Sequence, residues 1–566
     1  MASLLIFSLV TFTIVYSFGV GLGKALPERF SCERYSEITD TFFLGLLGLS
    51  VICSWASIYF PLDTRFFLAV STVSAIIWAT KFKDCSIPFR RLLNNYRLLS
   101  NADRLFLIFI GGFLMLVTAG GITVVDSSQY HAQAINWSRE YSVIPGLGNL
   151  HDRFAFGSLF FPLNALFSFD FFIGEFRVLL YPLNAVCFTV LLVKLLEHYW
   201  RSKVDKNVRG AVEGLVLGFL CLVYLSTYAS SPSPDLICAA LIIYILHKRS
   251  NWSDAGPDRG LIVVSGLCFI AVTYKLSSIP ILLVLLTLLN REDGVRRLFL
   301  FSLMAVVCIT PFFIRNYFLS GYLIYPFAQL DIFTVDWKIP AYSVEKMSQV
   351  IAAWARIPFR PPDEVLALPF SKWLPIWFAR LHFLTKIVLL LNLALIPLLF
   401  FRLARSGVER SIFVGVIVAS LVFWILLAND PRFGYGFLFF GGTLVITQMT
   451  LWACRVQIMR KQILRGGFFT VVTGVLSIAL AWGYRDYLVH TLNHPTNWII
   501  AGHENSMKEF QLYPDPLVIV RTSNFDYGIS RPSPCYASRI PCSRGLVSEK
   551  IVLRGAVIED GFRMAP

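Results

Sequence analysis

Residues 104–126 read RLFLIFIGGFLMLVTAGGITVVD. No charged side chain falls between Arg104 and Asp126, and a helix needs about 20 mostly apolar residues to cross the hydrocarbon core of a bilayer. A soluble helix keeps a charged face toward water, and this run has none. It predicts a membrane helix that delivers Asp126 to the water boundary.

Working outward, similar runs lie near 2–23, 41–61, 65–82, 177–198, 209–228, 234–249, 260–275, 277–290, 297–315, 384–403, 411–428, 436–454 and 466–484. Together they predict an all-α integral membrane bundle of about fourteen spans, with a range of about twelve to sixteen. The pair flanking Lys275 also reads as one broken element. The whole chain agrees: of 566 residues, 56% are hydrophobic and only 15% charged, with mean hydropathy +0.65. Soluble domains carry about 25% charged residues, so a water-facing globule is excluded. The net charge of +15 does not point to nucleic acid, because Lys and Arg collect in short connections between apolar runs. The N-terminus, MASLLIFSLVTFTIVYSFGVGLGKAL, lacks a basic leader and reads as a first membrane helix rather than a cleaved signal.

The basic connections KFKDCSIPFRRLLNNYR (81–97), HYWRSKVDKNVR (198–209), HKRSNW (247–252), NREDGVRR (290–297), FRLARSGVER (401–410) and CRVQIMRKQILR (454–465) occupy alternate connections. Positive charge stays inside, so segments 126–176 and 317–383 and the tail 486–566 are expected in the periplasm of a bacterial inner (cytoplasmic) membrane. The organisation expected is membrane helices in 1–100, a core in 101–316 containing the first periplasmic loop, a second loop over 317–383, further helices in 384–485 and a periplasmic tail. The loop 126–176 reads as two helices lying in the interface, one over Tyr130, Ala134 and Trp137 and one over the Phe-rich run 154–169. The tail contains an expected strand, VSEKIVLRG (547–555).

Most unusual polar residues fall on this outer side. Asp126 can serve as a base, or cap the next helix, since Asp126-Ser-Ser-Gln129 has capping-box spacing. His131, Arg139, Glu140, His151, Asp152 and Arg153 form a polar group among aromatics, able to line a substrate pocket or to stand as a solvated loop. A divalent metal held by His131, His151 and a carboxylate is possible, but the spacing fits no standard motif. In SSPSPD, Ser233 reads as a cap, Pro234 as the first helical residue, and Asp235 as a helix-start charge or a second functional carboxylate. Lys275 lies between apolar arms, where an ammonium needs a partner or a task. Arg315, Tyr325 in SGYLIYPF and Arg432 in DPRFGYG sit at helix ends or short turns. Guanidinium forks suit phosphate oxygens, and equally anchor lipid headgroups. Cys535 and Cys542 are expected to form a disulfide stapling the tail, and Asn136-Trp137-Ser138 is a formal glycosylation acceptor. No Walker loop, GxGxxG, GxSxG or HExxH occurs, which disfavours ATP-driven transport and zincin chemistry.

The segments VVDSSQYHAQAINWSREYSVIPGLGNLHDRFAFGS, RNYFLSGYLIYP, VDWKIP, WAR, DPRFGYG and LRGAVIEDGFR resemble a family of bacterial polytopic membrane proteins with no assigned reaction. An acidic residue opening the first large outer loop, followed by helices with short outer turns, is similar in architecture to the GT-C superfamily. Those are membrane glycosyltransferases that use polyprenyl-phosphate-linked sugars. The resemblance implies a GT-C-like core over 101–316, Asp126 as general base, Asp235 as a second acidic position, and Lys275, Arg315 and Arg432 on the donor phosphate. It implies a polyprenyl-phosphate-linked sugar or glycan acceptor as partner, in the bilayer and without nucleic acid. A transporter or flippase of lipid-linked glycans and a non-catalytic envelope-assembly scaffold are the competing expectations. The flippase reading calls for polar residues lining the bundle midplane.

Overall fold

The structure is a computed structural model describing residues 1–25, 37–97, 99–169, 180–251, 260–289, 293–403, 408–454, 466–501, 518–521, 525–529, 535, 540–543 and 550–565. Parts of the first loop (170–176), of the basic connections (252, 290–292, 404–407 and 455–465) and of the expected tail strand (547–549) lie outside the described residues.

Helices dominate. In chain order they are α1 (Ala2–Ala25), α2 (Ile38–Tyr59), α3 (Thr64–Thr80), α4 (Phe82–Arg97), α5 (Asn101–Ala119), α6 (Ala132–Glu140), α7 (Leu147–Leu150), α8 (Phe160–Leu166), α9 (Pro182–Val204), α10 (Val208–Leu225), α11 (Pro234–Ser250) and α12 (Leu261–Tyr274). There follow α13 (Gly294–Ser320), α14 (Ala341–Arg356), α15 (Pro362–Ala367), α16 (Phe370–Arg380), α17 (Phe383–Leu393), α18 (Leu395–Leu403), α19 (Val408–Leu427), α20 (Pro431–Ala453), α21 (Gly466–Gly483), α22 (Arg485–Asn493) and α23 (Thr496–Ile499).

Among the described residues, seven helices are long and apolar enough to cross a membrane: α1, α2, α5, α9, α10 with its extension to Tyr228, α13 and α20. The chain is a multi-pass membrane protein built as an all-α bundle. On α13, Val295, Phe299 and Val306 stay largely exposed, which a helix tolerates only against lipid. The inner faces bury a continuous apolar core running from Ile14 to Tyr484. Glycines set the closest approach: a Cβ at Gly19 of α1 would strike the Thr41 carbonyl oxygen, and one at Gly45 of α2 would strike that of Val15. Small residues at such crossings let backbones touch.

The broken element around Lys275 takes a definite form. After α12 the chain turns extended at Lys275 and returns as a 3-10 helix, Leu276–Leu288. The Cys268 thiol meets the Ile281 carbonyl across the two arms, so Lys275 stands at the tip of a folded-back pair.

Two interfacial expectations are corrected. The 127–140 stretch is helical, as a π-turn (Ser127–His131) leading into α6. However, Ile135, Trp137 and Ser138 are buried, and every residue of α8 is buried as well. The two helices pack against each other, and α8 packs against α2 as well. Asn136 is buried too, which removes it as a glycosylation acceptor. Within the 317–383 segment the chain forms α14, α15 and α16.

The tail carries two small sheets. β1 (Val518–Arg521) pairs antiparallel with β2 (Asp526–Ile529), which pairs parallel with β3 (Cys542–Ser543). β4 (Ile551–Leu553) pairs antiparallel with β5 (Phe562–Met564) in the register Ile551↔Met564. The expected disulfide joins Cys535 to Cys542. The β4–β5 hairpin docks onto 144–150: the Phe562 amide donates to the Pro145 carbonyl at 2.9 Å, and Phe562 packs beside Trp137.

Candidate functional site

Four chain reversals meet at one end of the bundle: the exit from α5, the starts of α11 and α20, and the tip after α12. Local sequence builds each of them. Ser233 caps α11, accepting the Asp235 amide at 3.3 Å with Pro234 at the first helical position. Asp430 caps α20 in the same way, accepting the Arg432 amide at 3.0 Å ahead of Pro431. A proline needs no amide partner at a helix start, and the capping side chain satisfies the amide that follows. Both caps therefore place charges at one depth. Asn184 of α9 holds the turn before α11, donating to the carbonyls of Ser231 at 2.6 Å and Ser233 at 2.8 Å.

Arg432 joins three carboxylates. Its guanidinium donates to Asp430 at 3.0 Å and to Asp126 at 3.3 Å, and lies 3.6 Å from Asp235. Asp235, almost fully buried, forms a close ion pair with Lys275 and accepts from the Ser233 hydroxyl at 3.1 Å. The Lys275 ammonium also sits 3.7 Å from the centre of the Phe433 ring, a favourable cation–π arrangement. On the far side of Asp126, Arg153 donates to its other oxygen at 3.1 Å, to Gln129 at 2.9 Å, and stacks over Tyr130. Asp126 thus lies between two guanidiniums.

This geometry corrects the capping alternative. Asp126 has helical backbone angles and caps nothing; its side chain is committed to Arg153 and Arg432 instead. Burial opposes its ionisation, but Arg432, His131 and Arg153 outweigh that and hold the carboxyl below the usual carboxylate range. His131 is buried beside Phe161 and Tyr130, with its Nδ1 3.4 Å from Ser127, which in turn bonds Ser231 at 2.5 Å. Burial pushes its imidazole down to about 4, despite the opposing pull of Asp126 and Asp235. At neutral pH it is an uncharged hydrogen-bonding group. Burial and the charge of Asp126 raise the Tyr130 hydroxyl far above its ordinary value, so it stays protonated.

Of the residues singled out from sequence, Asp126, His131, Arg153, Asp235, Lys275 and Arg432 converge here. The others do not. Arg139 pairs with its neighbour Glu140, and the His151 ring faces Asp152 and accepts the Arg153 amide at 3.1 Å. Tyr325 is buried against Phe156. Arg315 donates to Ser57 and Ser138 in a separate crevice. Among the described residues no group of three His, Cys, Asp or Glu side chains is arranged to hold a metal ion, so His131 and His151 do not meet over a carboxylate. Sequence reasoning missed Asp430, Gln129 and Asn184. Asp430 had a signal, since Asp-Pro-Arg puts a cap and a cation two residues apart; Asn184, inside an apolar run, had none.

A family model, described as a domain of unknown function (DUF8201), matches residues 1–439. The chain belongs to that family. The DUF8201 region contains every member of the charged cluster and ends within α20, short of the disulfide-linked tail. No curated protein and no solved structure matches the chain.

Chemically, the DUF8201 cluster is a balanced set in which each cation has a carboxylate. Arg153 and Arg432 offer N–H donors to any anion able to displace Asp126, and a pair of phosphate or carboxylate oxygens suits them. Because Asp126 is only partly covered, that exchange is open to a ligand. Asp235 lies deeper and, paired with Lys275, holds the arrangement in place.

Proposed function

We propose that the protein is a glycosyltransferase or glycan polymerase that uses a polyprenyl-phosphate-linked sugar, acting at the periplasmic face of a bacterial inner membrane. In this reading the seven long helices, the bent α3–α4 pair, the five shorter apolar segments and α11 supply about fourteen spans around a GT-C-like core. The observation that carries the proposal is Asp126 held between Arg153 and Arg432 at the mouth of the bundle.

The donor phosphate enters as a competitor for those guanidiniums. As its oxygens take the N–H groups, Asp126 loses the ion pairs that depress its basicity and becomes a better base. The acceptor hydroxyl oxygen then bonds the anomeric carbon, the carbon–oxygen bond to phosphate breaks with its electrons left on phosphate, and the hydroxyl proton passes to Asp126. Arg153 and Arg432, aimed where that negative charge accumulates, lower the barrier. Asp235 and Lys275 position Arg432.

The flippase reading is less well supported, because α11 runs from Asp235 to His247 through buried, mostly aliphatic residues, Leu236 to Leu246. That is about 18 Å of helix with no charged group along it. The test compares surface glycan and lipid-linked intermediates in cells carrying Asp126→Asn and Arg432→Ala. Loss of glycan with accumulation of lipid-linked sugar at the outer leaflet is expected; two stably inserted, fully active variants would end the reading.

A further inference from the structure

Arg315 lies near the end of α13, buried, and no carboxylate pairs with it among the described residues. Its guanidinium donates to the Ser57 hydroxyl at 2.9 Å, the Ser57 carbonyl at 3.3 Å and the Ser138 hydroxyl at 3.5 Å. Its Nε has no partner. The indole N–H of Trp137, also buried, has none either. Both side chains line one crevice, with Ser138, Ser142, Phe156 and Phe161. We propose that this crevice is an oxyanion site, taking an oxygen of a phosphate group borne on a lipid headgroup or free in solution.

Two features explain how an unpaired guanidinium is tolerated there without satisfying it. Ser57 and Ser138 belong to the last turns of α2 and α6, whose helix dipoles present partial negative charge. Their carbonyls, however, already accept the Val143 and Leu62 amides at 3.0 Å. What remains is a cation and two orphaned N–H donors, on two residues that line one small crevice. A water molecule could accept from such a donor, yet it would leave the charge without a counter-ion. An anionic oxygen answers both demands, and a buried, unpaired cation in a membrane protein marks a binding site more often than a structural one.

The site is separate from the charged cluster. Phe156 and Phe161 form one wall of the crevice and pack on their other side against Tyr130 and His131. The proposal uses none of the residues assigned to transfer, so either can fail alone. The β4–β5 hairpin shares an apolar core with four of the lining residues, Trp137, Leu147, Phe154 and Leu319, and so packs behind the crevice. Next to it, Tyr59 and Phe60 at the end of α2 are largely exposed, which places an apolar surface beside the polar crevice, as a lipid-borne phosphate requires.

The test uses the purified full chain in neutral detergent, with thermal unfolding followed against dihexanoyl phosphatidic acid, inorganic phosphate and dihexanoylglycerol. Saturable stabilisation by phosphatidic acid and none by dihexanoylglycerol is expected. Arg315→Gln should remove the part of the response that survives in Arg153→Gln, and Trp137→Phe, which keeps the ring bulk and loses only the N–H, should weaken the apparent affinity of that part about tenfold. Arg153→Gln, in the other cluster, should keep a saturable response, because the Arg315 crevice is untouched. An equal response to inorganic phosphate supports a free oxyanion as the natural occupant; a response to phosphatidic acid alone supports a lipid headgroup. Indifference to both phosphate probes overturns the proposal, as does loss of the response in Arg153→Gln with Trp137→Phe unchanged. If Arg315→Gln does not fold, Trp137→Phe and Arg153→Gln decide the matter.

Discussion

Breaking the Asp235–Lys275 pair should cost stability asymmetrically, because the two partners are left with different company. In Asp235→Asn, the Lys275 ammonium keeps only the Phe433 ring at 3.7 Å, and Arg432 loses one of its three carboxylates. Removing one member of a buried ion pair typically costs about 3–5 kcal/mol, and the cation–π contact already exists in the native protein, so it offsets nothing. In Lys275→Met, Asp235 retains the Ser233 hydroxyl at 3.1 Å and Arg432 at 3.6 Å. A hydrogen bond to a charged group is worth about 1.5–3 kcal/mol, so the loss should be nearer 2 kcal/mol. The double variant leaves no orphaned charge and should be about 2 kcal/mol more stable than the two single losses together imply. Reversible unfolding of the purified protein in mixed micelles, for the four members of the cycle, gives these numbers. Additivity within about 0.5 kcal/mol, or a larger loss in Lys275→Met than in Asp235→Asn, would refute the reasoning.

His131 makes stability depend on pH in a defined direction. Its folded value of about 4 lies below the ordinary 6.5, so the unfolded chain takes up the proton first. Stability is full above about 6.5 and falls as pH drops toward 4, by about 3 kcal/mol; unfolding midpoints for His131→Gln should lack that slope. Asp126, also depressed, adds its loss only below the ordinary carboxylate value of 3.8. Asn184→Leu removes two donors to buried carbonyls and should cost about 2–3 kcal/mol by thermal unfolding, more than a Leu substitution at exposed Thr189. Gly561 has φ +95°, and a Cβ there would collide with the Pro145 carbonyl. Gly561→Ala should therefore undock the β4–β5 hairpin, seen as faster limited proteolysis after residue 550 with the membrane core still folded.

How much of the cluster could be read beforehand depended on the kind of signal. Asp126, Lys275 and Arg432 each interrupt or border an apolar run, so the cost of placing a charge in lipid marks them without a structure. The cap at Ser233-Pro234-Asp235 was equally legible, because capping is a contact between near neighbours. The capping of α6 by Asp126 was an available local solution that the fold does not use: two guanidiniums from residues 27 and 306 positions away outcompete a single amide. Arg315 looked the same in sequence as Arg432, each a cation near a helix end. Packing places them in different compartments, with an aromatic wall between.

The sequence by itself determined that this is a multi-pass membrane chain, where its seven long apolar helices run and at which of their ends charges lie. Those follow from hydropathy and from capping, which act over a turn or two of chain. Only the tertiary structure decided which charges share a partner, that α6 and α8 are buried rather than laid on the membrane surface, and that 317–383 folds into helices. Apolar helix faces in lipid attract one another with little selectivity, so the choice of neighbour rests on close glycine contacts and long-range ion pairs. Neither of these leaves a periodic trace in the order of residues.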